Sequence, residues 1–149
     1  MKAHNPADVA APFSAYSHGV EAPPGARWLH VSGQVGVDPD GRTPEGIEAQ
    51  AALAFRNLGA VLASAGMAAG DVVKLTVYLT HAGDVPALRA ARDRFQGDAR
   101  PASTLVVVQA LARPEWRVEI EAVAAHWLVD AVMLLALSGR RKAAGTRAP

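Results

Sequence analysis

The stretch Asp71–Thr80, DVVKLTVYLT, constrains the fold more than any other part of this chain. Val73, Leu75, Val77 and Leu79 alternate with Lys74, Thr76 and Tyr78, and a period of two puts one set on each face of a strand. The aliphatic face of such a strand has to be covered, and the segment before it supplies the cover. Ile47, Ala51, Ala54, Leu58, Val61, Leu62 and Ala65 recur at spacings of three and four, which is the pattern of an amphipathic helix. The spacing predicts a helix over 44–65, with Thr43 as its cap, Pro44 in its first position, Glu45 near the positive end of its dipole and Gly66 as its stop.

The remaining segments fit around this pair. Trp28, His30 and Ser32 alternate with Leu29 and Val31, so Ala26–Val37 reads as a strand, and Tyr16–Val20 is expected to pair with it as a hairpin across Pro23-Pro24-Gly25. Asp84 is expected to cap a second helix that buries Val85, Leu88, Ala91 and Phe95 and stops at Gly97. Thr104–Gln109, TLVVVQ, is a nearly continuous apolar run and reads as a strand covered on both faces. Arg117–Ala125 alternates again, with Val118, Ile120 and Ala122 in one row and Arg117, Glu119 and Glu121 in the other. The order is β-β-α-β-α-β-β, an α+β chain whose two helices cover one face of a mixed sheet. The other face, with Val107, Gln109 or their neighbours, is expected to be too apolar to stay wet, and self-association is the simplest way to bury it.

Length and composition bound the function. A chain of 149 residues makes one domain, and 50% hydrophobic with 19% charged residues supplies a core. A net charge of +1 argues against a nucleic-acid partner. The chain has no cysteine, which removes disulfides, thiolate nucleophiles and Cys-ligated metals. The N-terminus lacks the apolar stretch of a secretory leader. Trp127–Leu137 is apolar but interrupted by Asp130 and shorter than the about 20 residues that cross a membrane. The division is therefore a domain over 1–126 and an extension over 127–149, a short apolar helix followed by a basic, disordered tail. A cytoplasmic protein with no membrane partner is expected. His18 and His30 belong to different strands without an acidic companion at ligand spacing, so no metal is expected. Ser17 and Ser103 have no His/Asp partnership, which disfavours a serine nucleophile.

Several motifs, in this order and spacing, resemble the RidA/YjgF/UK114 family. They are Ala15-Tyr16-Ser17-His18-Gly19-Val20, Val31-Ser32-Gly33-Gln34-Val35, Ile47-Glu48-Ala49-Gln50, Val72–Thr80, Arg100-Pro101-Ala102-Ser103-Thr104 and Val118-Glu119-Ile120-Glu121-Ala122-Val123-Ala124. The resemblance runs from Tyr16 to Ala125. It implies a chorismate-mutase-like protomer, a homotrimer whose sheets form a barrel-like core, and a small-molecule cleft at each subunit interface. It also implies hydrolysis of reactive enamines and imines, with release of ammonia and without metal or organic cofactor. By the same resemblance Glu119 is the catalytic residue that positions and activates water, and Tyr16 and Ser32 shape the substrate pocket.

The chain departs from the family at the substrate carboxylate. Members with the clamp read Pro-Ala-Arg, whereas this chain reads Pro101-Ala102-Ser103. Arginine grips a carboxylate with two charge-assisted bonds, worth roughly 1.5–3 kcal/mol each, while serine offers one neutral bond of about 0.5–1.5 kcal/mol. The change is expected to weaken binding of an amino-acid-derived anion by about tenfold to a hundredfold. Arg89, where the family has an asparagine, is the candidate for a relocated clamp, against the plainer reading of a solvated helix arginine. For Glu119 the plainer reading is a strand carboxylate paired with Arg117 or a neighbouring strand. Two classes stay open: an imine deaminase of altered specificity, and a catalytically silent trimer that binds or senses a metabolite.

Overall fold

A computed structural model describes residues 1–127. Of the extension only Trp127 is among these residues, and the apolar helix and basic tail expected over 127–149 otherwise lie outside them. The elements are β1 (Lys2–His4), β2 (Gly19–Glu21), β3 (Arg27–Val35), α1 (Ile47–Ser64), β4 (Val72–Leu79), α2 (Val85–Gln96), β5 (Ala102–Val107) and β6 (Val118–His126). Four strands form one mixed sheet in the order β3-β6-β4-β5. β6 runs antiparallel to both its neighbours, and β4 and β5 are parallel, the crossover between them being α2.

Both helices lie on one face of the sheet, as the row patterns require. Ala51, Ala54, Leu58 and Leu62 of α1 and Leu88 of α2 share a core with Leu75, Val77 and Leu79 of β4 and Val118, Ile120 and Ala124 of β6. Phe55 of α1 stacks on Phe95 of α2, with centroids 5.1 Å apart. Among the described residues no helix is long and apolar enough to cross a membrane.

Four expectations need correction. Residues 16–20 do not form a hairpin with β3. β2 pairs with the N-terminal β1, and the partner of β3 is β6, where Leu29 and Val31 meet Ala124 and Ala122. The turn at Pro24-Gly25 does form, closed by the Ala26 N–H donating to the Pro23 carbonyl at 3.2 Å, but the strand before it is held by β1. α1 begins at Ile47 rather than residue 44. Its cap is Gly46 at φ 82°, and Thr43 and Pro44 belong to the preceding loop. Asp84 stands at the start of α2 but its side chain does not cap it. That carboxylate is taken by Arg117, at 2.6 and 2.9 Å. Finally, β5 is an edge strand and is not covered on both faces: Val106 and Val107 are 40% and 49% exposed.

The loop between β3 and α1 is clamped. Gln50, buried on α1, donates to the carbonyls of Pro44 and Glu115 at 3.1 and 3.0 Å and accepts from the Arg117 N–H at 2.9 Å. Asn57 donates to the carbonyls of Val35 and Val37 at 3.0 and 2.9 Å. Gly36 crosses so close to the first turn of α1 that a Cβ there would lie 2.6 Å from the Gln50 backbone.

Candidate functional site

The face of the sheet away from the helices is lined by polar and charged side chains to a greater extent than the run TLVVVQ suggests. The alternation of β4 sends Lys74, Thr76 and Tyr78 to this face, and β6 sends Glu119 and Glu121. Register places Thr104 and Val106 of β5 beside Thr76 and Tyr78, whereas Val107 stands opposite Leu79 on the helix side. Val107, expected to help make the outer face too apolar to stay wet, is therefore not on that face. What remains exposed and apolar there is Val106, with Trp28 at 53% exposure on β3.

These groups are organised in pairs. Tyr78 Oη donates to Glu121 Oε1 at 3.2 Å, and Lys74 Nζ donates to Thr104 Oγ1. Desolvation pushes the Tyr78 phenol above its ordinary value, and the hydrogen bond and charge of Glu121, with the charge of Glu119, push the same way. In Tyr16→Phe protein Tyr78 is the only tyrosine left. Its absorbance titration should have a midpoint above the usual value of about 10, and Glu121→Gln added to that background should lower it. A midpoint at or below that of a free tyrosine would remove the Tyr78–Glu121 contact.

Glu119 is not paired with Arg117, which is bound to Asp84 instead. The Glu119 side chain lies over the backbone of Gly33: a Cβ on Gly33 would stand 1.8 Å from Glu119 Oε1 and 2.6 Å from its Cδ. The pairing of β3 with β6 is irregular between Val31 and Gln34, so Ser32 and Gly33 sit in a bulge. That bulge exposes Ser32 beside Glu119's strand. A cavity of about 320 Å³ opens next to it, lined by His30, Ser32, Lys74, Thr76 and Glu121 among others. A larger space of about 610 Å³ lies beside the β3–α1 loop, but its Arg117 and Gln50 are already engaged by Asp84 and by backbone groups.

Tyr16 and Ser103 both lie at the opposite edge of the sheet. Ser17 bridges to Ala102 in a parallel sense and donates from its N–H to Pro101 at 3.1 Å, which lays residues 16–17 along the outer edge of β5. Tyr16 packs edge-on against His18, with centroids 5.8 Å apart. Ser103 is in register with Leu75, which is in register with Ala122. Glu119 thus lies two strands away, about 10 Å, and three residues along, about 10 Å, from Ser103. Ser103 also faces the helix side of the sheet, and Glu119 the open side. Within one protomer, then, the expected site residues divide: Ser32 and Glu119 on the paired strands β3 and β6, and Tyr16 and Ser103 at the edge formed by β5.

Arg89 joins neither group. It is exposed on α2 and has no hydrogen bond or ion pair among the described residues. The arginine of α2 that turns inward is Arg92, whose side chain is 5% exposed and whose Nη1 reaches Ser14 Oγ at 3.4 Å. Sequence reasoning missed Arg92, as it missed the contact of Gly33 with Glu119 and the pairing of Tyr78 with Glu121. The row containing Glu119 and Glu121 was legible, but the neighbours across the strands carry no signal in a single sequence.

A model of the family described as endoribonuclease L-PSP matches residues 7–126. The chain is 38% identical over 100 residues to a mouse 2-iminobutanoate/2-iminopropanoate deaminase, an alignment covering 66% of this chain and 73% of that one. Its fold is similar to that of a Rid family protein of Yersinia pestis, with TM-score 0.73 and 33% identity over 84% of this chain and 98% of that one. It is also similar to Escherichia coli TdcF solved with bound serine, with TM-score 0.64 and 27% identity over 85% and 100% of the two chains.

Proposed function

The chain belongs to the endoribonuclease L-PSP family, which takes in the RidA and YjgF proteins, and from that membership we propose that it is an imine deaminase of altered specificity. The observation that carries the reading is the seating of Glu119 over Gly33 in the bulge beside Ser32. A carboxylate held there can take a proton from water as the oxygen adds to the carbon of a C=N bond. The same carboxyl returns that proton to the nitrogen, giving an aminoalcohol, which collapses as its hydroxyl proton passes by way of the carboxylate to nitrogen while the C–N bond breaks and the C=O bond forms. Ammonia leaves and the carbonyl product remains, so one imine and one water give one carbonyl compound and one ammonia. No step needs a metal or an organic cofactor.

The separation of the two residue groups supports a site shared between protomers. Ser32 and Glu119 of one chain would meet Tyr16 and Ser103 of a neighbour, and three copies would close the open sheet face into a barrel-like core. Ultracentrifugation is expected to show a trimer. A stable monomer at micromolar concentration would leave each half-site alone and remove the mechanism.

Specificity follows from Ser103. With one neutral donor in place of a guanidinium, the site favours a small ligand of less anionic character than a 2-imino acid. With 2-iminopropionate generated in situ, the wild type should turn over slowly and Ser103→Arg should raise kcat/KM by about tenfold to a hundredfold. Equal high activity in both proteins would sink the altered specificity. No hydrolysis in either would favour the second reading, a silent metabolite-binding trimer, which Ser103 itself supports. Ribonuclease action, suggested by the family's descriptive name, gains nothing from a net charge of +1.

A further inference from the structure

α2 buries two polar residues that helix packing does not require. Leu88, Ala91 and Phe95 supply its apolar contacts, yet Arg92 is 4% exposed and Gln96 is 6% exposed. Buried polar groups persist where they have partners, and Gln96 Nε2 and Arg92 Nη1 find theirs in the segment just before β2, while Gln96 Oε1 has none among the described residues. Gln96 Nε2 donates to the Ala15 carbonyl at 2.7 Å. A carbonyl only accepts, so the orientation of the Gln96 amide is settled by this bond. Arg92 donates from Nε and Nη2 to Asp93 Oδ1 at 3.0 and 2.9 Å, which leaves Nη1 directed at Ser14 Oγ.

The same segment is tied on its other side. Ser17 is 2% exposed and is held on Pro101 and Ala102. The next residue, His18, donates from its N–H to Asn5 Oδ1 at 2.8 Å, and its Nε2 lies 2.7 Å from the Ala10 carbonyl. Tyr16 is thus the single residue between two anchors from α2, at Ser14 and Ala15, and one from β5, at Ser17. Apolar side chains at 92 and 96 could keep the packing of α2, but they would release the α2 anchors.

We propose that Arg92 and Gln96 are positioning residues that hold the Ser14–Ser17 strap on the edge of β5 and so set where Tyr16 stands at that edge. The consequence for chemistry rests on the deaminase reading; the consequence for Tyr16 itself does not. An effect on substrate binding is expected because Tyr16 shapes the pocket while Glu119 handles the proton, so the loss falls on KM more than on kcat.

The chain has two tyrosines, Tyr16 and Tyr78, so protein labelled with fluorotyrosine gives two fluorine resonances, assigned with Tyr16→Phe. Gln96→Met keeps length and volume but loses the donor, and Arg92→Met loses the charge and all three bonds. In both, the Tyr16 resonance should shift or broaden while that of Tyr78 stays in place, and Arg92→Lys should return it towards the wild-type position. If Arg92→Met does not fold, Ser14→Ala removes the same anchor from the strap side. With 2-iminopropionate, KM should rise by about tenfold while kcat changes less. A Tyr16 resonance unmoved in Gln96→Met and in Arg92→Met or Ser14→Ala overturns the proposal. A moved resonance in a protein whose wild type hydrolyses no imine upholds the positioning role and overturns the deaminase reading instead.

Discussion

Glu119→Gln is expected to lower imine hydrolysis by about 10²–10⁴-fold, the usual worth of a positioned general base, with no change in oligomeric state. The amide keeps the shape of the side chain over Gly33 but cannot accept the proton from water. Gly33→Ala should reach a similar loss by a different route. Its new Cβ would fall 1.8 Å from Glu119 Oε1 and 2.9 Å from its Cγ, and the flexible side chain would rotate away from Gly33 as a whole. The fold should survive this with little change in thermal midpoint. Steady-state rates measured on both variants beside the wild type decide the matter. Activity retained in Glu119→Gln would remove Glu119 from the chemistry, and activity retained in Gly33→Ala alone would show that the seat over Gly33 is dispensable.

Gly36→Ala should do the opposite. Here the added Cβ would meet the Cα and carbonyl of Gln50 at 2.6 Å, and backbone within a clamped helical turn cannot step back. Forcing a methyl group into such a contact costs about 1–3 kcal/mol. At about 3–4 °C per kcal/mol for a chain of this length, the thermal midpoint should fall by roughly 3–12 °C at fixed protein concentration. The loss should be larger than that of Gly33→Ala, although the two glycines are three residues apart. The comparison tests one physical distinction, whether the atom in the way belongs to a side chain that can rotate or to a main chain that cannot. A midpoint in Gly36→Ala equal to that of the wild type would mean that the loop between β3 and α1 is looser than its hydrogen bonds imply.

Some of the fold could be read from residues alone, and the reason is local. Val73, Leu75, Val77 and Leu79 had to share a face because a strand alternates, and Ala51, Ala54, Leu58 and Leu62 had to share one because a helix turns every 3.6 residues. The rows of β6 were legible in the same way, Glu119 and Glu121 included. Errors arose where a segment's fate depended on a distant partner. TLVVVQ reads as doubly buried, yet β5 is an edge strand with Val106 exposed. Thr43 and Asp84 look like caps, but a glycine at positive φ starts one helix and Arg117 takes the carboxylate at the other. Arg89 and Arg92 are indistinguishable by composition, and only the packing of α2 against the strap turns Arg92 inward.

The family motifs carried Tyr16, Ser32, Ser103 and Glu119 onto the chain one at a time, without saying which of them stand together. Periodicity acts within an element and assigns each side chain to a face of its own strand or helix, so the sequence by itself determined most of the elements and their buried rows. Which strands neighbour one another, in what register, and therefore that Glu119 shares a corner with Gly33 but lies across the sheet from Ser103, was decided only when distant segments packed. Those contacts depend on the shapes of two surfaces at once, and neither surface is written in the segment that bears the other.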